Sequence, residues 1–242
     1  MLVDVPTVQL SNGVHMPQVG LGAAPAEVVA EALEIGYRSF DAHRDEAGIG
    51  RALRWSGVPR HELFVATRLG DEPQAFEESL DRLGLEYVDL CLIEAPVGDF
   101  VQMWKAFEKF TADGRARAIG VCDFLIPHLR RLSEETSTVP ALNQIELHPR
   151  LVQPNLRAYH SEHGIVTQAY RPLGDLVGND EIGFMAQKYG KTPAQIILRW
   201  HMELNHVVTV AHDRMRESID IFDFELAEDD VHALADISGQ PS

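Results

Sequence analysis

The stretch VDLCLIEAP, residues 88–96, is an apolar run that ends abruptly in the carboxylate of Glu94 and in Pro96. A run of this length with β-branched and aliphatic residues reads as a buried strand. Seven other short apolar runs resemble it, at residues 19–22, 38–41, 63–68, 118–121, 141–145, 165–170 and 207–210. Each is followed by a segment with helical spacing, such as 25–35, 47–55, 73–83, 100–112, 127–135 and 155–163, or by a pair of them, 181–189 with 193–204 and 215–222 with 228–237. Strand and helix alternating over short connections predict a parallel sheet, and eight such units predict an α/β fold closed as a (β/α)8 TIM barrel. In such a barrel the strand ends share one mouth, so polar residues there become candidates for chemistry.

Ahead of the first unit, residues 7–10 and 14–16 flank Ser11-Asn12-Gly13, a turn signal, and predict a hairpin plugging the barrel bottom. The 242 residues are close to the roughly 250 of a bare barrel, so one domain spanning 1–242 is expected. A net charge of -16 disfavours nucleic acid and anionic membrane as partners and leaves a small-molecule substrate. Cys91 and Cys122 form no CxxC pair, residues 1–6 carry no signal-peptide pattern, and no apolar run approaches a membrane span. A cytoplasmic protein is expected; the sequence does not fix its oligomeric state.

Six stretches together carry a family resemblance: VQLSNGVHMP (8–17), GYR (36–38), GVPRHELF (57–64), LGLEYVDL (83–90), NQIELHP (143–149) and FDFEL (222–226). Over nearly its full length the chain resembles the aldo-keto reductases. The resemblance implies NADPH-dependent carbonyl reduction by an aspartate, a tyrosine, a lysine and a histidine. Only the aspartate, Asp41, stands at its place; the shortened loop DAHRDEAG (41–48) has no tyrosine, Arg68 takes the lysine position, and Glu94 takes that of the histidine.

For the cofactor, the resemblance assigns Asn143 and Gln144 to the nicotinamide amide, Tyr170 to the stacking ring, and Arg214 and Glu217 to the adenosine end. Cys122-Asp123 replaces a Ser-Asn pair, Arg171 replaces a serine, Ser218 replaces an asparagine, and a shortened loop at Ala211-His212 lacks the phosphate-gripping lysine and serine. The sequence ends at Ser242 without the long C-terminal substrate loop that the resemblance implies.

Asp41, Arg68 and Glu94 are expected to converge at the mouth. Arg68 then either neutralises Asp41 and leaves Glu94 facing water, or is shared by both carboxylates so that one becomes a general acid or base; ligand binding without catalysis is a third role. His43, in the shortened loop, is either solvated or a proton donor in the space of the missing tyrosine. Cys122 beside Asp123 is a poor nucleophile, His148 is expected to be structural and His212 a surface residue, and Arg68 beside the carboxylates argues against a metal. Trp104, Phe124 and Arg171 are candidate substrate contacts.

These losses lead to the expectation of a barrel without cofactor, repurposed for redox-neutral cyclisation, dehydration or isomerisation, with Asp41, Arg68, Glu94 and His43 as its catalytic group. One alternative is an NADPH-dependent carbonyl oxidoreductase with Glu94 or His43 as an atypical proton donor. Another is a noncatalytic binding or regulatory protein.

Overall fold

Eight parallel strands close into a barrel in the computed structural model, which describes residues 3–22 and 24–237. The expected lack of a leader at the first residues and of a C-terminal substrate loop falls partly outside them. The strands are β3 (Val19–Leu21), β4 (Ser39–Asp41), β5 (Phe64–Leu69), β6 (Val88–Ile93), β7 (Ala116–Cys122), β8 (Leu142–Glu146), β9 (Val166–Tyr170) and β10 (Val207–Val210). Each pairs with its sequence neighbour, and β10 closes the ring on β3. Short hairpin strands β1 (Thr7–Gln9) and β2 (His15–Pro17) precede them.

Helices α1 (Ala26–Ile35), α2 (Glu46–Trp55), α3 (Ala75–Leu83), α4 (Phe100–Ala112), α5 (Ile126–Glu135), α6 (Pro154–Glu162), the pair α7 (Asp180–Tyr189) and α8 (Pro193–Glu203), and the final α9 (Met215–Ile219) and α10 (Glu228–Asp236) surround the strands. Most boundaries fall within two residues of the sequence expectation, and α9 stops three residues short of it. The hairpin connection is longer than an Asn-Gly two-residue turn: the register pairs Gln9 with His15, because Leu10 is buried and anchors the loop.

Side chains alternate across a strand, and this two-residue period sorts the barrel. Phe64, Ala66, Leu90, Leu92, Ala118 and Leu142 point inward and pack with Val8, Leu10 and Met16 of the hairpin, which closes the end where the strands begin. The intervening positions, Val65, Cys91, Ile93, Ile119, Val121 and Ile145, pack outward on the helices. Inward residues at the opposite strand ends therefore have no hydrophobic plug above them.

Polar groups that face outward are satisfied by the helix layer. Glu46, at the start of α2, accepts from Thr67 Oγ1 at 2.6 Å, from Ser79 Oγ, and from Arg82 Nε at 2.7 Å, tying β5 to α3. Fully buried Asp89 accepts from Arg60, from Arg117 at 2.8 Å and from the Val65 N–H at 2.9 Å. Asp45 and Asp99 cap α2 and α4 through the Gly48 and Gln102 N–H groups. Capping by Asp45 fixes where the short loop 42–45 turns, and so where His43 is delivered.

Three buried histidines lie behind the far wall. On α6, His160 Nδ1 contacts Thr167 Oγ1 at 2.9 Å and Nε2 contacts Asn143 Nδ2 at 2.9 Å. An amide nitrogen only donates, so Nε2 must be the acceptor and the ring must be neutral. His201 Nε2 donates to the Pro172 carbonyl at 3.1 Å, and its Nδ1 meets His206 Nδ1 at 3.3 Å, so this pair shares one proton at that contact.

Among the described residues no helix is long and apolar enough to cross a membrane.

Candidate active site

At the open mouth lies a cavity of about 800 Å³, within the size range of cofactor and substrate sites. Asp41, Arg68, Cys122, Gln144 and Tyr170 reach it as inward residues at the ends of β4, β5, β7, β8 and β9, and Glu94 lines it one residue beyond β6. His43 and Arg44 come from the loop after β4, Asp123 and Arg171 from the residues after β7 and β9, His212 and Arg214 from the turn after β10, and Ser218 from α9.

Asp41 joins two of the charged side chains at the mouth. One carboxylate oxygen accepts from His43 Nδ1 at 2.9 Å and the other accepts from Arg68 Nη2 in a very short contact. Burial would raise its pKa, but the His43 bond and the Arg68 charge outweigh that and hold the carboxyl below its usual range. Burial likewise works against the Arg68 cation, and the carboxylate charges of Asp41, foremost, and Glu94 help to restore it, so that its pKa is raised. Arg68 is thus a fixed positive charge spent on Asp41 and not shared equally with Glu94. Glu94 is exposed, and its carboxylate pairs with no cation among the described residues.

The thiol of Cys122 is pushed up to about 12 by burial against the partial relief of Arg68, so it is neutral and not a nucleophile. Across the cavity, the Tyr170 hydroxyl donates to Asp123 Oδ2 at 3.2 Å. Its phenol is pushed up to about 12 by burial and by the Asp123 charge, so it remains protonated. Below the mouth, Gln144 Nε2 donates to Gln168 Oε1 at 2.9 Å, which locks the amide's orientation. Arg171 is paired with Glu146 at 3.1 Å.

The other candidate contacts lie elsewhere. Asn143 is one residue from Gln144 and therefore on the outer face, where it donates to the Phe124 carbonyl at 2.8 Å and meets His160. Trp104 is buried on the inner stripe of α4, donating to the Thr138 carbonyl at 3.2 Å, and Phe124 packs edge-on against Phe100 with centroids 5.3 Å apart. Both are outer-layer core residues and do not line this cavity. Glu217 does not line the cavity either; it holds Arg214 Nη1 at 3.0 Å and accepts from Thr192. His148 is half-buried beside Glu146 at 3.6 Å.

The cavity also uses Gly22, Arg44, the turn from Pro172 to Asp175, and Thr209 to Ala211. Their signal in the sequence is position alone: each directly follows or ends a barrel strand, or adjoins His43.

The match of residues 23–238 to the aldo/keto reductase family, together with the relatives below, makes this chain a member of that family. An aldo-keto reductase of Mycolicibacterium smegmatis is 44% identical, with 96% of this chain and 93% of the relative covered. The protein called methylglyoxal reductase DkgA of Yersinia pestis is 40% identical over 95% of this chain and 91% of its own. A crystallised aldo-keto reductase of the silkworm Bombyx mori, complexed with NADPH, superposes with a TM-score of 0.91 at 29% identity, covering 96% and 88% of the two chains.

These relatives overturn two expectations drawn from the sequence, redox-neutral chemistry and the absence of a cofactor. The missing tyrosine, lysine and histidine occupy one side of the mouth, and their replacement leaves the cavity itself and its Gln144 and Tyr170 wall in place. The expectation rested on the combined loss of the reacting groups, the phosphate-gripping residues after β10 and the C-terminal substrate loop, and the relatives outweigh it.

Proposed function

We propose that this chain is an NADPH-dependent oxidoreductase that reduces a small carbonyl compound, with His43 as the proton donor. The observation that carries the proposal is the Arg68–Asp41–His43 chain on the cavity wall. Asp41 orients the imidazole through Nδ1, so a protonated His43 has its Nε2–H left for substrate, and no described protein group takes it. Arg68 keeps Asp41 ionised and adds positive charge where a carbonyl oxygen becomes an alkoxide. Glu94 fits the donor role less well, because it is exposed and pairs with no cation among the described residues.

The donor set of the opposite wall suits a dinucleotide. Tyr170 presents a ring with a neutral hydroxyl, Gln144 presents an amide, and Arg214 with Ser218 stands at the far end near His212. When bound, NADPH supplies the hydride. Gln144, Tyr170, Arg214 and Ser218 would hold it, while His43 and Arg68 would act on the carbonyl oxygen. The name of the Yersinia relative supports a small 2-oxoaldehyde as the first substrate to try. The free, buried Cys91 and Cys122 fit work in a reducing cytoplasm.

Calorimetric titration checks the cofactor directly. NADPH and NADP⁺ are expected to bind with dissociation constants in the micromolar range or below, with an aldo-keto reductase as positive control. Absence of heat up to millimolar cofactor contradicts the proposed function.

A further inference from the structure

On the wall assigned to the nicotinamide, Asp123 is a carboxylate without a cation of its own. Its neighbours are spoken for: Arg68 is bound to Asp41, and Arg171 to Glu146 at 3.1 Å. No arginine, lysine or histidine pairs with Asp123 among the described residues. Its carboxylate accepts from the Tyr170 hydroxyl at 3.2 Å and also meets the Glu146 backbone, which places a negative charge at the edge of the aromatic face.

The position is fixed by the backbone. Asp123 has φ 56°, in the left-handed region, and its N–H donates to the Gln144 carbonyl at 2.8 Å. Aspartate and asparagine tolerate this conformation better than other residues with a side chain. The turn therefore carries the carboxylate into the cavity from the end of β7, beside Gln144 of β8 and Tyr170 of β9. Burial, with the Glu146 charge adding to it, raises the Asp123 pKa, and the Tyr170 bond and the more distant Arg68 charge offset this only in part.

We propose that Asp123 sets the redox preference of the cofactor site by favouring the oxidised, cationic nicotinamide over the neutral reduced ring. This rests on the proposed function, which puts the ring on Tyr170. In the reaction, one hydride, two electrons with one proton, leaves the nicotinamide for the carbonyl carbon. The C=O π pair moves to oxygen, which takes a proton from His43, and the nicotinamide acquires one positive charge. A carboxylate beside that ring lowers the energy of the product side, so hydride donation becomes more favourable in the protein than in water. Asp123 acts as a positioning charge and exchanges no proton with the substrate.

The test is the ratio of dissociation constants for NADPH and NADP⁺, measured by calorimetry at pH 8 on the parent, Asp123→Asn and Asp123→Glu. Asparagine keeps the size, the left-handed backbone and a partner for Tyr170 while removing the charge, and an unchanged circular dichroism spectrum verifies the fold. NADP⁺ binding is expected to weaken relative to NADPH by about tenfold in Asp123→Asn, the size of a partly screened charge contact. The Asp123→Glu variant is expected to stay closer to the parent ratio. A ratio within about twofold of the parent in Asp123→Asn, with both cofactors bound or both weakened alike, overturns the charge effect while leaving the reductase intact. A parent that binds neither cofactor overturns the proposed function itself, and that result is distinct from an unchanged ratio.

Discussion

Replacing His43 by alanine lowers kcat for NADPH-dependent reduction of a 2-oxoaldehyde by about 10²- to 10⁴-fold, the usual contribution of a positioned general acid. Asp41 keeps its Arg68 partner in this variant, so the strand ends and the cofactor wall stay as they are. The dissociation constant for NADPH is accordingly expected to stay near the parent value. His43→Gln separates orientation from acidity: its amide can still donate to Asp41 but has no proton to give the alkoxide. Steady-state kinetics should therefore place it near His43→Ala. Glu94→Gln should be affected far less, because the Glu94 carboxylate stands exposed at the mouth and pairs with no cation among the described residues. A His43→Ala enzyme that keeps kcat within about threefold, while Glu94→Gln loses it, moves the donor role to Glu94.

Stability should fall steeply as pH drops from 7 to 5, before most carboxylates take up protons. His160 is held at about 4 and His201 at about 3, both chiefly by burial, against 6.5 for the free side chain. Their folded pKa values are depressed, so the unfolded chain binds more protons in this range. The stabilisation is full above about pH 6.5 and is lost as pH falls toward the folded values. At pH 5 this amounts to about 2 kcal/mol for each of the two, from the 1.5 units below the unfolded value. The hydrogen bonds give the same sign, since protonating His160 would set its Nε2–H against the Asn143 amide donor. Thermal melts from pH 7 to 5 should show the midpoint dropping by several degrees. A flat midpoint over that range would mean that these rings are charged in the folded protein, against the bonds they make.

Much of the architecture was legible. The VDLCLIEAP run and its seven counterparts marked eight strands because the barrel buries both faces of each strand, leaving short continuous apolar stretches. The convergence of Asp41, Arg68 and Glu94 followed from their common place at strand ends. What was missed in the site divides by physical cause. Asn143 was placed with Gln144 although strand alternation sends neighbours to opposite faces, a rule the sequence itself supplies. Trp104 and Phe124 were offered as cavity walls on residue type, whereas the apolar stripe of α4, Phe100, Val101, Met103, Trp104, Phe107 and Phe110, already assigned Trp104 to the core.

The Asp41–His43 bond was not readable, because a two-residue separation in a loop fixes no geometry until the Asp45 cap sets the turn. Charge partition was similarly hidden: two carboxylates near one arginine are compatible with sharing, and only the structure shows Arg68 committed to Asp41. The largest error was chemical. Replaced residues at the reacting and phosphate-gripping positions were read as the loss of hydride transfer, although Gln144 and Tyr170 keep the residue types of the cofactor pattern and both line the cavity.

Hydride transfer is tested most directly with NADPH deuterated at both C4 positions and methylglyoxal as substrate, the purified protein being the only catalyst and the product analysed by mass spectrometry. The proposed function predicts one deuterium on the new carbinol carbon for each NADPH consumed. NADPH that is not consumed, or an alcohol product without deuterium, would contradict it.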